Sequence, residues 1–342
     1  PAEINLPGKD IANMGFATAA DVPVILVADI DRGGVIAAVV GTHAVITEAH
    51  RDRVKGYIIN KFRGDVTLFD DGLREITQRT GWQSMGIAPF FSDAAKLPAE
   101  DAMALSNLNT RGTGPIKIAV PKLSRIANFD DLDPLNAEPD VDLGVIAPGS
   151  AIPGDTDLIL LPGSKATIAD LAFLREQGWD IDILAHHRRG GRILGICGGY
   201  QMLGRTVADP DGIEGNTQFA QGLGLLNIDT VLSGEKSLGE RSGQHAASGA
   251  PVHGYEIHLG QSDGPDRDRP FLTINGAGEG ACSQDDLVQG CYLHGLMAAD
   301  GFRHAYLSGI RARPDSGINH TALVDGTLDA LAAHFVQHMD LD

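Results

Sequence analysis

The stretch Arg192-Ile193-Leu194-Gly195-Ile196-Cys197-Gly198-Gly199-Tyr200-Gln201-Met202-Leu203-Gly204 decides how the rest of the chain reads. Ile193, Leu194 and Ile196 form a short apolar run behind the turn signal Gly190-Gly191, which reads as a buried strand. Cys197 closes the run, two glycines follow, and a segment able to start a helix comes next. This is the strand–turn–helix layout of a nucleophile elbow, with Gly195-x-Cys197-x-Gly199 in place of Gly-x-Ser-x-Gly. The glycines allow a sharp turn without a Cβ in the way. They also place the sulfur at a helix N-terminus, where free N–H groups and the dipole favour thiolate. A lone cysteine is ordinarily a small buried hydrophobe. The glycine frame argues for catalysis here, whereas Cys282 and Cys291 lack such a frame and read as structural.

Outward from this stretch, 342 residues are too many for one typical domain and suggest two. A composition of 43% apolar residues supplies an ordinary α/β core for both. The net charge of −18 argues against nucleic acid and anionic membranes as partners. Three cysteines, an odd number, fit a reducing cytoplasm better than a disulfide framework. No apolar run is long enough to cross a bilayer, and no signal peptide opens the chain. The chain starts at Pro1 rather than Met, so it reads as a fragment or a processed piece.

In the first half, Val22-Pro23-Val24-Ile25-Leu26-Val27-Ala28-Asp29 reads as a parallel strand buried on both faces. It runs into Asp29-Ile30-Asp31-Arg32-Gly33-Gly34 and an alanine-rich helical stretch from Val35. Strand ends of this kind are where open α/β sheets bind ligands. Asp29 or Asp31 is therefore a candidate for holding Mg²⁺ beside nucleotide phosphates, the alternative being a helix cap and a solvated turn. A second strand, Gly56-Tyr57-Ile58-Ile59, runs into Asn60, whose amide suits a nucleobase, although a local Asx turn is the more common outcome on local sequence alone. A third, Met85 to Pro89, completes the alternation of a doubly wound parallel sheet. No Gly-x-x-x-x-Gly-Lys-[Ser/Thr] phosphate loop occurs in these residues. Either this half does not bind ATP, or its phosphate-binding part lies upstream.

The polar, glycine-containing stretch Ser106 to Pro115 reads as a linker, dividing the chain into 1–111 and 112–342. A fresh sheet starts at Ile116. Asn128-Phe129-Asp130-Asp131-Leu132-Asp133-Pro134-Leu135 is a cluster of acids for which a solvated loop is the ordinary reading. Asp157 to Leu161 forms a strand that ends in Pro162-Gly163-Ser164. The N–H groups of Gly163, Ser164 and Gly198 are the expected oxyanion donors of a cysteine acyl transfer. For the base, His294 follows a short strand, Val288 to Leu293, and precedes Gly295, so it is chosen first and His258 second. His186 and His187 read as an exposed helix C-terminus.

Leu161-Pro162-Gly163-Ser164, the Gly195 to Gln201 elbow and Tyr292-Leu293-His294-Gly295 together resemble a class I glutamine amidotransferase domain. Further segments resemble the cobyric acid synthase family: Pro1 to Leu6, Asp29 to Gly34, Asn60-Lys61-Phe62-Arg63-Gly64, Asn128 to Leu135 and Gly254-Tyr255-Glu256-Ile257-His258. The likeness covers nearly the whole chain in order. The sister family, cobyrinic acid a,c-diamide synthase, shares the elbow but has a Tyr-rich segment in place of Asn128 to Leu135.

The resemblance implies two doubly wound α/β domains. The first is a truncated dethiobiotin-synthetase-like, P-loop-type sheet whose Asn60 holds adenine. The second is a class I, flavodoxin-like amidotransferase domain. It implies that Cys197 and His294 hydrolyse glutamine, with Gln201 helping to seat it. The ammonia then amidates the b, d, e and g carboxylates of adenosylcobyrinic acid a,c-diamide, each activated by ATP with Mg²⁺ as an acyl phosphate. Most class I amidotransferases carry Glu two residues after the catalytic His; here Leu296 stands there, so the expectation is a Cys–His pair without a third member. Family members also carry a phosphate loop upstream of the segment matching Pro1. The 342 residues by themselves are therefore expected to lack synthetase activity. Rival readings are an amidotransferase for another acid, such as a cell-wall lipid precursor, a cysteine hydrolase, or a non-catalytic ATPase-like scaffold. Asn128 to Leu135 disfavours the first, the Asp29 to Gly34 turn with Asn60 the second, and the framed Cys197 the third.

Overall fold

The computed structural model describes residues 4–5, 10–98 and 114–340. Contacts gather the chain into two units, Pro1–Leu97 with Asp325–Asp342, and Pro98–Val324. The expected linker, Ser106 to Pro115, lies almost wholly outside the described residues, as does most of the segment Pro1 to Leu6.

In the first unit, strands β1 (Val24–Asp29), β2 (Val54–Phe62) and β3 (Gln83–Pro89) form a parallel sheet in that order. Helices Val35–Val45 and Asp70–Thr80 cover it through Val35, Val39 and Ile76, which pack with Tyr57, Ile59 and Trp82. The second helix opens on Asp70 and Asp71 and stops at Gly81 in the left-handed conformation, as dipole and capping rules require. β1 departs from the sequence reading. Its inner residues are not buried on both faces: Ile25 and Val27 are 43% and 58% exposed. β1 is an edge strand, and among the described residues nothing covers that face. The chain's last helix, His320–His338, also brings a surprise, because residues from Asp325 onward join this unit rather than the second. His334 Nε2 meets Pro89 O at 3.0 Å, and Met339 bridges Gly86 on β3.

In the second unit, strands β4 (Ile116–Pro121), β5 (Val141–Ile146), β6 (Leu158–Leu161) and β7 (Arg192–Ile196) belong to one parallel sheet. A long antiparallel ribbon follows, β8 (Asp229–His245) with β9 (Pro251–Asp263). The chain then returns to the parallel sheet as β10 (Val288–Cys291). The parallel strands lie in the order β5-β4-β6-β7-β10, which is the flavodoxin-like 2-1-3-4-5 arrangement. β4 to β7 are close to continuously apolar and buried, as strands covered on both faces must be. The expected strand Val288 to Leu293 breaks at Tyr292. Beyond it, β11 (Leu293–His294) leaves the parallel sheet and pairs with β9, so the two sheets meet at this point. Among the described residues no helix is long and apolar enough to cross a membrane.

Candidate active site

Cys197 stands at the C-terminal end of β7, before the six-residue helix Gly198–Leu203, with φ +53° and ψ −111°. A side chain in this backbone region costs about 1–3 kcal/mol and persists only where packing enforces it. The frame glycines provide that packing. A Cβ at Gly199 would collide with Leu161 O, and one at Gly195 would lie 2.6 Å from Leu203 Cδ1. The sequence elbow is thus present, built by laying the helix directly on β6 and β7. Cys197 is 7% exposed, and its Sγ lies 3.7 Å from Ile257 O on β9.

The crossing at Tyr292 carries His294 to the same place. In the β9–β11 ladder His294 is paired with Tyr255 and Leu293 with Glu256. The imidazole is fully buried, and among the described residues its Nε2 forms no well-aligned hydrogen bond, although Cys197 lies close enough to act on the ring. Its Nδ1 is held at 2.7 Å by Asp131 Oδ2, while the Gly295 N–H donates to Asp131 Oδ1 at 2.6 Å. Burial alone lowers the imidazole's proton affinity. The hydrogen bond and charge of Asp131, together with the neighbouring Cys197, outweigh it and push His294 up to about 10.

Asp131 corrects the expectation of a pair without a third member. Leu296 is where the usual Glu would be, yet a carboxylate arrives from a turn 163 residues upstream of His294. Nor is the acid cluster a solvated loop: Asp131 is 2% exposed, and Leu132 and Leu135 are fully buried. The apolar pair three residues apart, set directly after Asp131, was the available signal that this turn faces inward.

The expected oxyanion donors surround the sulfur's elbow. A Cβ on Gly198 would come 2.9 Å from Ser164 N, and one on Gly163 would come 2.9 Å from His294 Cε1. Gly163–Ser164 is itself fixed by antiparallel pairing with Ile126–Ala127, and Ser164 Oγ donates to Asp170 Oδ2 at 2.6 Å. Gln201 differs from expectation. Its amide is fully engaged inside the protein, accepting from Thr167 Oγ1 (2.9 Å) and donating to Leu259 O (2.9 Å) and Tyr292 Oη (3.3 Å). The second-choice base, His258, stacks on Tyr292 with ring centroids 3.7 Å apart, and its Nδ1 meets Gly260 O. Burial lowers its pKa. His186 is buried against Arg192 O rather than exposed.

Residues 117–302 match the CobB/CobQ-like glutamine amidotransferase domain. The whole chain aligns with "Cobyric acid synthase" of Rhodobacter capsulatus at 58% identity, covering 70% of that protein. The corresponding proteins of Bradyrhizobium diazoefficiens and Paracoccus denitrificans align over the whole chain at 56% and 57% identity, again covering 70% of each. The chain belongs to the cobyric acid synthase family. It is accordingly a glutamine-dependent amidoligase of cobalamin biosynthesis.

In this family member's first unit, the candidate nucleotide residues gather at the ends of β1 and β2, where Asp29 and Asn60 are in register. Asn60 Oδ1 accepts from its neighbour Lys61 N at 2.9 Å within β2, which is a bond one residue on and not the Asx turn of the alternative reading. Asp29 is paired with Lys61 (2.8 Å), and Asp31 takes Arg63 through two bonds (2.8 and 3.1 Å). Those cations hold both carboxyls below the usual range. Each acid is already matched to a cation, and no cluster of three metal-ligating side chains occurs among the described residues. The residues present do not make a Mg²⁺ site by themselves.

Proposed function

We propose that the second unit hydrolyses glutamine at Cys197 and that the ammonia amidates the b, d, e and g carboxylates of adenosylcobyrinic acid a,c-diamide. The product is adenosylcobyric acid. We assign carboxylate activation by ATP to chemistry that involves the first unit, with Asn60 at the adenine and Asp29 and Asp31 near the nucleotide, whereas Mg²⁺ would need ligands beyond these two acids. The three free cysteines fit a cytoplasmic setting.

One observation carries the glutaminase reading. A buried imidazole is held by Asp131 on one nitrogen and lies beside a strained cysteine with the other. The sulfur attacks the glutamine Cδ after ceding its proton to His294, and the N–H groups of Gly198 with Ser164 or Gly163 receive the oxyanion. His294 returns the proton to the departing nitrogen, so ammonia leaves and a thioester remains. It then takes a proton from water, whose oxygen attacks the thioester. Glutamate and the thiol are released. Gln201 acts in this scheme by bracing the elbow helix against β9 rather than by reaching the substrate.

The test is covalent labelling. A glutamine-mimicking electrophile should modify Cys197 and glutamine should protect it; in an intact enzyme that also carries the upstream segment, Cys197→Ala and His294→Ala should abolish glutamine-dependent amidation while free ammonia still supports it. Unchanged glutamine use by Cys197→Ala overturns the proposal.

A further inference from the structure

Tyr255 lies flat against the base. Its ring stacks on His294 with centroids 5.4 Å apart and an interplanar angle of 23°. The contact is built at two levels. In the backbone, β9 and β11 place the two residues directly opposite each other, and Gly254 is obliged to lack a side chain because a Cβ there would collide with His294 O. In the side chains, the phenol is tethered from the far side. Asn128 Nδ2 donates to Tyr255 Oη at 2.8 Å, and the phenol donates to Asp130 Oδ2 at 3.4 Å. Asn128 and Asp130 belong to the same turn that supplies Asp131, and Asn128 adopts φ +51° to make it. One turn therefore grips the imidazole twice, at its edge through Asp131 and at its face through Tyr255.

We infer that Tyr255 is a positioning residue for His294. Its tethered ring fixes the imidazole plane so that Nδ1 meets Asp131 while Nε2 faces Cys197, and its π-face favours the imidazolium. This inference rests on the Cys197–His294 reading. The charged and titratable groups around the imidazole come from three elements. Asp130 and Asp131 lie on the turn, Cys197 on the elbow, and His258 on β9, stacked on Tyr292. Asp130 is half-buried, and burial together with the charge of Asp131 raises its carboxyl. The phenol is raised to about 12, chiefly by burial, so it stays neutral across the working range. The aromatic face thus stabilises positive charge on the ring without adding charge of its own.

The experiment compares Tyr255→Leu, which removes the π-face, with Tyr255→Phe, which keeps the ring and cuts the tether, in the whole chain. Asn128→Ala cuts the same tether from the other end, and each variant's melting temperature is measured. The His294 midpoint is followed by NMR from its Cε1 proton, assigned with His294→Gln, alongside kcat and KM for glutamine hydrolysis. Tyr255→Leu should lower that midpoint by about one pH unit and kcat by roughly tenfold or more, with KM changed less than about threefold. Tyr255→Phe and Asn128→Ala should keep the midpoint within about 0.3 unit and lose kcat about three- to tenfold. If Tyr255→Leu does not fold, the other two variants decide. A folded Tyr255→Leu, or both tether variants, matching wild type in midpoint and kcat overturns the inference. Loss of hydrolysis on Cys197→Ala in the same series keeps the glutaminase reading standing apart from that result. Unchanged hydrolysis by Cys197→Ala means that the glutaminase reading itself has failed.

Discussion

Asp131 holds His294 and the residue after it at once, one oxygen on the imidazole Nδ1 and the other on the Gly295 N–H. The carboxylate has no freedom to rotate without breaking a backbone bond, so the tautomer and the plane of His294 are fixed together. Asp131→Asn should keep the shape but replace the charge with an amide that no longer favours the imidazolium. The expected loss in kcat is about 10²–10⁴-fold with KM nearly unchanged. A variant within fivefold of wild type would remove Asp131 from the mechanism.

The same pairing has a pH signature in stability. The folded imidazole is raised from 6.5 to about 10, so it holds its proton more tightly than the unfolded chain does. The stabilisation is complete below about 6.5 and is lost as pH rises through about 10. Chemical denaturation of wild type should therefore show stability falling across that window, and Asp131→Asn should flatten the fall. An unchanged slope in the variant would contradict the linkage.

Gly163 is placed where a methyl group would press on His294 Cε1 at 2.9 Å. Gly163→Ala should push the imidazole off line and cut kcat by about 10–100-fold, at a stability cost of about 1–3 kcal/mol. Normal turnover in Gly163→Ala would mean that the imidazole has room this structure does not show.

Gln201 separates a brace from a substrate ligand. Gln201→Leu leaves Leu259 O and Thr167 Oγ1 without their partner in a buried setting, so it should lose about 1–3 kcal/mol of stability. A large rise in KM at full stability would instead return Gln201 to the glutamine-binding role that the family resemblance implied.

The elbow was legible because its constraints are local: Gly195, Cys197 and Gly199 lie within five residues, and each glycine answers a collision visible from strand–helix geometry. The place of His294 at a strand end was legible, and the individual strands were legible as apolar runs, while the flavodoxin-like order came from the family resemblance alone. Asp131 was not legible. Its partner is 163 residues away, and a run of acids reads as solvated until Leu132 and Leu135 are seen buried behind it. The partners of Gln201 were not legible for a similar reason, since Thr167, Leu259 and Tyr292 meet it only in the folded protein. β1 reads as doubly covered because composition reports hydrophobicity, not whether a neighbour arrives to bury it.

The crossing at Tyr292, on which the position of His294 depends, is secured by a carboxyl group under strain of its own. Glu279 Oε1 accepts the Tyr292 N–H at 2.8 Å, and among the described residues the buried Oε2 forms no well-aligned hydrogen bond. Burial raises this carboxyl to about 7, against the pull of the Tyr292 bond. A folded pKa above the unfolded 4.5 gives a contribution fully present below about 4.5 and lost as pH rises through about 7. At pH 8 the protein therefore bears a buried charge that Glu279→Gln would remove while keeping the acceptor for Tyr292. The variant should gain on the order of 1–3 kcal/mol at pH 8, a rise of a few degrees in Tm, and gain little at pH 5. Equal Tm differences at both pH values would show that the carboxyl does not titrate where its burial places it.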